Sequence, residues 1–444
     1  MKRFINVFPT LVLCAWISAA AHGQSLEEEL AGLSQSHPQV NAARKGVAST
    51  REEAAKAVAA FLPTVNLASD IGPEYIDSPA ERASGDAEPW SRTRSTTTLT
   101  VTQNLFRGFS DESASRSAQI NRLVSQSTLD ITRQNIMMEG VAAYIDVRRQ
   151  LRLVELARQN EETIQIQLNL EDERVQKGSG IAVDVLQAKS RLQLAKERRT
   201  RFEGNLENAL ARYTQVFGHT PDLERMYDPL PSGNLLPDTL EAAISIAVSE
   251  NPSILNSDYQ VEAARELRRA ARSEFMPRID IVGSLNYEKN NDGTLGVRRD
   301  ASVLLQANWD LFSGFTARAN VAQAAFDYSA SRDNYDYTVR KTVEQVRLTW
   351  QALLTARARV ELLENAVNIA SEVYESRRAL RAAGQETVIN VLDAESEIAN
   401  AQINFASATF DERAAVYQLL LAMGRLEVST LAVNNEESNS ALFR

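Results

Sequence analysis

Histidine and cysteine are nearly missing from this chain, with three of the first and one of the second in 444 residues. Metal centres built from imidazole and thiolate, and nucleophile–base pairs of the Ser–His or Cys–His kind, therefore have little to draw on. Two of the histidines, His37 and His219, correspond to Asn251 and Arg425 in an internal repeat described below, and the third, His22, lies near the N-terminus. No metal-ligand spacing, nucleophile motif or phosphate-binding glycine loop occurs in the sequence. The carboxylates are scattered at helical spacing, as solvated faces have them. An enzyme is not expected, and neither is a cofactor. Long apolar runs are also scarce: charged residues are 24% and mean hydropathy is −0.29, so no spanning helix is expected beyond the N-terminus. Basic charge is in deficit, with 48 Lys and Arg against 58 Asp and Glu. Without Lys2 and Arg3 the balance is 46 against 58, a net charge of −12, which argues against a nucleic-acid partner.

The exception to the polar composition is residues 1–21. Lys2-Arg3, an apolar stretch from Phe4 to Ala20 and the small residues Ala19-Ala20-Ala21 read as a signal peptide. Cys14, the single cysteine, lies inside it. Leu13 before it is too large for a lipoprotein cleavage site, so a mature chain without any thiol is expected.

Between Val339 and Ala394, apolar residues recur in steps of 3, 4 or 7: Val339, Val343, Val346, Trp350, Leu353, Val360, Leu363, Val367 and Tyr374. This is the seam of a long coiled coil. No proline interrupts it, so a helix is expected from Ser313 to Ala382, about 100 Å at 1.5 Å per residue. A rod of that length cannot bury itself and needs antiparallel partners. The pattern stops at Ala383-Gly384 and resumes in Val388-Ile389-Asn390-Val391-Leu392-Asp393-Ala394, where a second helix is expected.

The chain is written twice. Ser25-Leu26-Glu27 recurs as Thr239-Leu240-Glu241, His37-Pro38 as Asn251-Pro252, and Phe61-Leu62-Pro63 as Phe275-Met276-Pro277, at an offset of 214. Leu105-Phe106-Arg107-Gly108-Phe109 recurs as Leu311-Phe312-Ser313-Gly314-Phe315, Gly178 to Ala188 answers Gly384 to Ala394, and Gly218 answers Gly424, at an offset of 206. The expected organisation is a first repeat over 22–218, a linker over 219–237, a second repeat over 238–424 and a polar, disordered tail over 425–444. Each repeat opens with a helix of about forty residues (Ser25 to Ala60; Thr239 to Glu274) that ends before a proline. Two strand-like segments follow (Thr64 to Ile71 and Thr96 to Phe106; Arg278 to Tyr287 and Ala301 to Phe312), then the long helix, a glycine turn and a shorter helix. The Pro-, Gly- and Ser-rich run from Gly72 to Trp90 reads as a loop.

The strand segments alternate apolar and polar residues at about ten residues each, the length of a tilted transmembrane strand, although a soluble hairpin alternates in the same way. Four strands leave open edges that lipid cannot satisfy, so closure needs several chains, and three copies would supply twelve strands.

The sequence resembles the TolC family of outer-membrane efflux proteins over nearly all of the chain after the leader. The resemblance is carried by the paired Leu-Phe-x-Gly-Phe tracts and by the matched turns Gly178 to Leu186 and Gly384 to Ala394. It implies a mainly α fold with a small β part: a long antiparallel coiled-coil α-barrel and four membrane-spanning strands per chain, closed into a twelve-stranded β-barrel in a homotrimer. It further implies an outer-membrane channel with a periplasmic tunnel that works with a periplasmic adaptor and an inner-membrane ABC or proton-driven pump, in type I protein secretion or small-molecule efflux. The missing lipidation cysteine favours secretion. In the family the closed entrance carries two aspartate rings; Asp393 matches one and Asn390 replaces the other. Asp184 matches an aspartate that pins the entrance, while Arg381 and Glu386 stand where an aromatic residue and an arginine are usual, so an Asp184–Arg381 ion pair is the expected latch. The hairpin tips Lys177, Gly178, Ser179, Gly180, Ala383, Gly384 and Gln385 are the expected adaptor-docking surface. The rival reading is a non-channel periplasmic coiled-coil adaptor or spacer. An adaptor would carry one hairpin beside β-rich domains rather than this duplicated plan.

Overall fold

A computed structural model describes residues 25–77, 79, 90–178, 180–229 and 236–428. The expected leader over 1–21, Ser179, most of the tail and part of the expected loop and linker lie outside the described residues.

Each half opens with two helices rather than the single forty-residue helix expected: α1 (Leu26–Ser36) and α2 (Pro38–Ala59), then α5 (Leu240–Glu250) and α6 (Pro252–Ala271). The break falls at His37-Pro38 and Asn251-Pro252. Proline disfavours helical backbone in the residue before it, and both preceding residues are non-helical, with ψ of 134° and 121°. Those two residues instead become N-caps: His37 Nδ1 accepts from the Gln39 amide at 3.3 Å, and Asn251 Oδ1 accepts from the Ser253 amide at 2.9 Å.

The long rods are α3 (Ser110–Gln176) and α7 (Thr316–Ala382), each of 67 residues. They turn into α4 (Ala182–Phe217) and α8 (Val388–Met423), each of 36 residues. The 36, 11 and 20 residues of α4, α5 and α6 together equal one rod, so the chain alternates full-length helices with divided ones. Both rods start immediately after a phenylalanine in left-handed backbone, Phe109 at φ 68° and Phe315 at φ 66°. That conformation costs a non-glycine residue about 1–2 kcal/mol. Edge-to-face packing of Phe109 on Phe106 and of Phe315 on Phe312, both with ring centroids 5.4 Å apart, offsets about 0.5–1.5 kcal/mol of it. This is a physical reason for the repeated Leu-Phe-x-Gly-Phe tract.

Four strands, β1 (Thr64–Ile76), β2 (Trp90–Arg107), β3 (Arg278–Lys289) and β4 (Val297–Asn308), form one antiparallel sheet in that order. β1 and β2 are longer than expected, because pairing continues from Gly72↔Arg94 to Ile76↔Trp90 through much of the supposed loop. Arg94 holds the added stretch by donating to Asp70 and Glu74 at 3.0 and 3.4 Å, and β1 is an edge strand, where Pro73 is tolerated. β4 is as long as expected but displaced, covering Val297–Asn308 rather than Ala301 to Phe312, and it stops opposite Arg278, where β3 begins. Its counterpart β2 runs on past Thr102, where pairing with β1 of its own half ends, because β3 lies on its other side and pairs with it as far as Arg107.

The main core lies where α1, α3, α4 and α8 meet, around the fully buried Leu30, Tyr144, Tyr213, Tyr417, Leu420 and Met423. The Tyr144 hydroxyl donates to the carbonyl of Tyr227 at 2.8 Å, and Asp228 binds Arg148 at 2.7 Å and Arg413 at 3.3 Å, so the described part of the linker is packed onto the rods. Among the described residues no helix is long and apolar enough to cross a membrane.

Candidate conduit wall and entrance

The sheet has two chemically different faces. Antiparallel register places Leu67 beside Leu99, Leu99 beside Leu285, Gly283 beside Val303 and Ile281 beside Leu305, all on one face. Leu67, Ile71, Val303 and Leu305 are 68 to 78% exposed in the single chain, a density of bare apolar side chains that water does not favour. The other face is a hydrogen-bonded polar surface. Thr96 donates to Asp70 at 2.6 Å, the Ser284 and Ser302 hydroxyls meet at 2.8 Å, and Asn286 donates to Asp300 at 2.9 Å. Apolar outside and polar inside is the alternation of a β-barrel wall in lipid around a wet lumen.

The other end of the molecule is formed by the two glycine turns. Gly178 and Gly384 have φ of 78° and 76°, left-handed values that help each rod reverse within the short turns 177–181 and 383–387. The Gly384 and Gln385 amides return to the carbonyls of Arg381 and Leu380 at 3.1 and 2.9 Å, closing the last turn of α7. Lys177, Gly178, Ala383, Gly384 and Gln385 are exposed and Gly180 is partly buried. Lys177 pairs with Glu173 at 2.5 Å on its own helix.

The expected Asp184–Arg381 pair is not what the chain forms. Arg381 donates instead to Glu171 on α3 at 2.8 Å and to the backbone carbonyl of Glu386 at 2.9 Å. Glu171 is almost fully buried and also receives Arg174 at 3.3 Å. The reason is positional: Ile164, Leu168, Glu171 and Val175 follow one another at 4, 3 and 4, so this glutamate occupies the inward stripe of α3 and faces the last turn of α7. A charged residue at an apolar-stripe position was the signal available in the sequence. Asp184 sits in the first turn of α4, half-buried.

Asn390 and Asp393 lie one turn apart near the start of α8. Asn390 donates to Glu386 at 2.5 Å, and Arg377 donates to its carbonyl at 3.3 Å. That amide, with the Thr387 backbone N–H, holds the Glu386 carboxyl below the usual glutamate range. Asp393 is bound by Arg191 of α4 at 2.6 Å, an exposed pair.

A second site absent from the sequence reading lies further up the rods. Glu395, on the buried stripe of α8, accepts from Asn160 of α3 at 3.1 Å and is hydrogen-bonded to Tyr374 of α7. Burial pushes its carboxyl upward, partly opposed by those two hydrogen bonds. The Tyr374 hydroxyl is pushed up to about 12, first by burial and then by the charge of Glu395. Glu171–Arg381, Asn160–Glu395 and Arg191–Asp393 thus tie the two halves together near the turns.

A sheet with one lipid-compatible face, carried on rods of 67 residues, defines a wall segment of an outer-membrane channel with a helical extension. The chain belongs to the outer membrane efflux protein family, whose model matches residues 31–219 and 243–425, one segment in each half. It is 26% identical to the outer membrane efflux protein BepC of Brucella suis over 93% of this chain and 88% of that protein. It is 25% identical to the alkaline protease secretion protein AprF of Pseudomonas aeruginosa over 89% and 84%. Among solved structures, a membrane protein from Pseudomonas aeruginosa superimposes with a TM-score of 0.79 at 20% identity, covering 90% of this chain and 93% of that one.

Proposed function

We propose that three copies of this chain close twelve strands into an outer-membrane barrel continuous with a tunnel of helices, through which proteins or small molecules leave the periplasm. The carrying observation is the four-stranded sheet with an apolar face, a polar face and two open edges. Lipid does not tolerate unpaired backbone, so such a sheet crosses a membrane only as part of a closed barrel. Support for export comes from family membership and from relatives whose names describe efflux and protease secretion.

The entrance then lies at the glycine turns. Its exposed tips, Lys177, Gly178, Ala383, Gly384 and Gln385 with Ser179 and Gly180 beside them, offer the surface on which a periplasmic adaptor docks, with an ABC or proton-driven pump below it. Around a threefold axis Asp393 would repeat as a ring of carboxylates, with Asn390 one turn away and Arg191 partly neutralising the ring. The buried Glu171–Arg381 pair takes the latch role in place of Asp184–Arg381.

The reading is tested by the mass of the particle in detergent and by current across a planar bilayer. Trimers that conduct support it; protein that remains monomeric, or bilayers that stay silent, would refute it.

A further inference from the structure

The two faces of the sheet differ in the sign of their charge as well as in polarity. Register and alternation put every carboxylate of the four strands, Asp70, Glu74, Asp280, Glu288 and Asp300, on the polar face. The apolar face carries charge at two positions, Lys289 on β3 and Arg299 on β4, and both are basic and exposed. We propose that Lys289 and Arg299 form a binding site for the phosphate of a lipid headgroup in the outer leaflet. This rests on the barrel reading above and adds a ligand on the barrel's lipid side.

Their lack of partners is the first support. On the polar face Arg94 binds Asp70 and Glu74 at 3.0 and 3.4 Å, and Arg298 binds Asp300 at 3.5 Å. Among the described residues no carboxylate pairs with Lys289 or Arg299. The lipid-side neighbours of Lys289 across the sheet are Ser95 and Val297, which carry no charge. An anion must therefore come from outside the sheet.

Height is the second. The lipid-facing residues of β4 run Ala307, Leu305, Val303 and Ala301 before Arg299 is reached. At about 3.4 Å per residue and a tilt of roughly 40°, the rise from Ala307 to Arg299 is roughly 20 Å, close to the height of a barrel's apolar band. Aromatic residues mark the limits of that band, Trp309 at one end and Tyr287 at the other. The rods leave the sheet at the Trp309 end, so Lys289 and Arg299 lie at the far end, level with the outer headgroups. There the penalty for a charge on the lipid side nearly vanishes.

The local geometry suits a phosphate. Tyr287 is paired with Arg299, and Lys289 with Val297, so the two cations are diagonal neighbours on adjacent strands. Their backbones are about 7–8 Å apart, a gap that one phosphate bridges between two long side chains. The Arg299 guanidinium lies 5.6 Å from the Tyr287 ring centroid. That contact steadies the arginine and leaves its N–H fork for phosphate oxygens.

Native mass spectrometry of the full detergent-solubilised protein tests this, with two probes: lipid A carrying two phosphates and the same lipid with both removed. The parent is expected to bind the phosphorylated form roughly tenfold better. Lys289→Gln with Arg299→Gln should bring the two forms level, whereas Lys289→Arg with Arg299→Lys should keep the preference. Arg298→Gln, at the same height on the opposite face, should also keep it. A conducting trimer without the preference, or one whose preference survives the double glutamine variant, would overturn the site and leave the barrel reading intact; a monomeric parent would remove the barrel reading itself. Displacement of the phosphorylated lipid by an equal concentration of inorganic phosphate would overturn the lipid assignment in favour of a free-ion site.

Discussion

The two rods have the same length, begin after the same Gly-Phe pair and end at the same glycine turn, yet α3 buries 22 residues and α7 buries 8. The difference is one of position. α3 has α1, α2 and α4 of its own half beside it, together with α6 and α8 of the second. α7 has α5, α6 and α8 of its own half, and its other flank carries Phe326, Leu362 and Ile369 exposed at 64 to 76%. Equivalent sequences therefore do unequal work in one copy, and the bare flank of α7 is where the single chain is unfinished.

This contrast can be broken by equivalent substitutions. Ile145→Ala in α3 removes a fully buried side chain and is expected to cost about 2–5 kcal/mol, measured by chemical denaturation in detergent. Ile369→Ala in α7 should change the stability of an isolated chain by no more than about 0.5 kcal/mol while lowering the fraction of trimer. Equal destabilisation of both variants in monomeric protein would show that α7 is already covered.

Next in size is the link between the rods. Arg381→Ala leaves Glu171 almost fully buried with Arg174 as its remaining ion-pair partner, a loss of about 1–3 kcal/mol near the turns. Faster proteolysis at the tips and larger single-channel conductance are expected. Conductance equal to that of the parent would remove the latch role.

The buried carboxyl of Glu395 supplies a pH dependence. Its folded value is raised above the ordinary glutamate range, so the folded chain takes up this proton at higher pH than the unfolded chain. Its contribution is thus unfavourable at neutral pH and relieved as pH falls from the raised value towards the ordinary one. Glu395→Gln should match or exceed the parent Tm at pH 7, with a gap that closes on acidification across that window. A constant gap would mean that the glutamate acts through packing alone.

The smallest effect is expected at the exposed Arg191–Asp393 pair, where Asp393→Asn should alter stability by about 0–1 kcal/mol. Its readout is ion selectivity: in the proposed trimer Asp393 would form a ring of three carboxylates that favours cations, so the variant should show a lower cation-to-anion permeability ratio in bilayers.

Much of the fold was legible in the residues. Rod length and strand alternation follow from periods of 3.6 and 2, the turns from glycines at the ends of the periodic runs, and the duplicated plan from motifs that recur at fixed offsets. The helix breaks before Pro38 and Pro252 follow from a different local rule, the restriction that a proline places on the residue before it. The entrance was less accessible. Arg381 has two carboxylates at plausible positions, Asp184 and Glu171, and no local rule says which of them α7 faces.

The sequence alone determined the set of helices and strands, their order and their twofold repetition, because backbone sterics and side-chain periodicity act over a few residues. Tertiary structure decided that Arg381 meets Glu171, that Glu395 meets Asn160, and that α3 is enclosed while α7 stands at an edge. Those outcomes depend on residues some 210 to 235 positions apart being carried to one place by packing, and packing is settled only when all the rods are laid together.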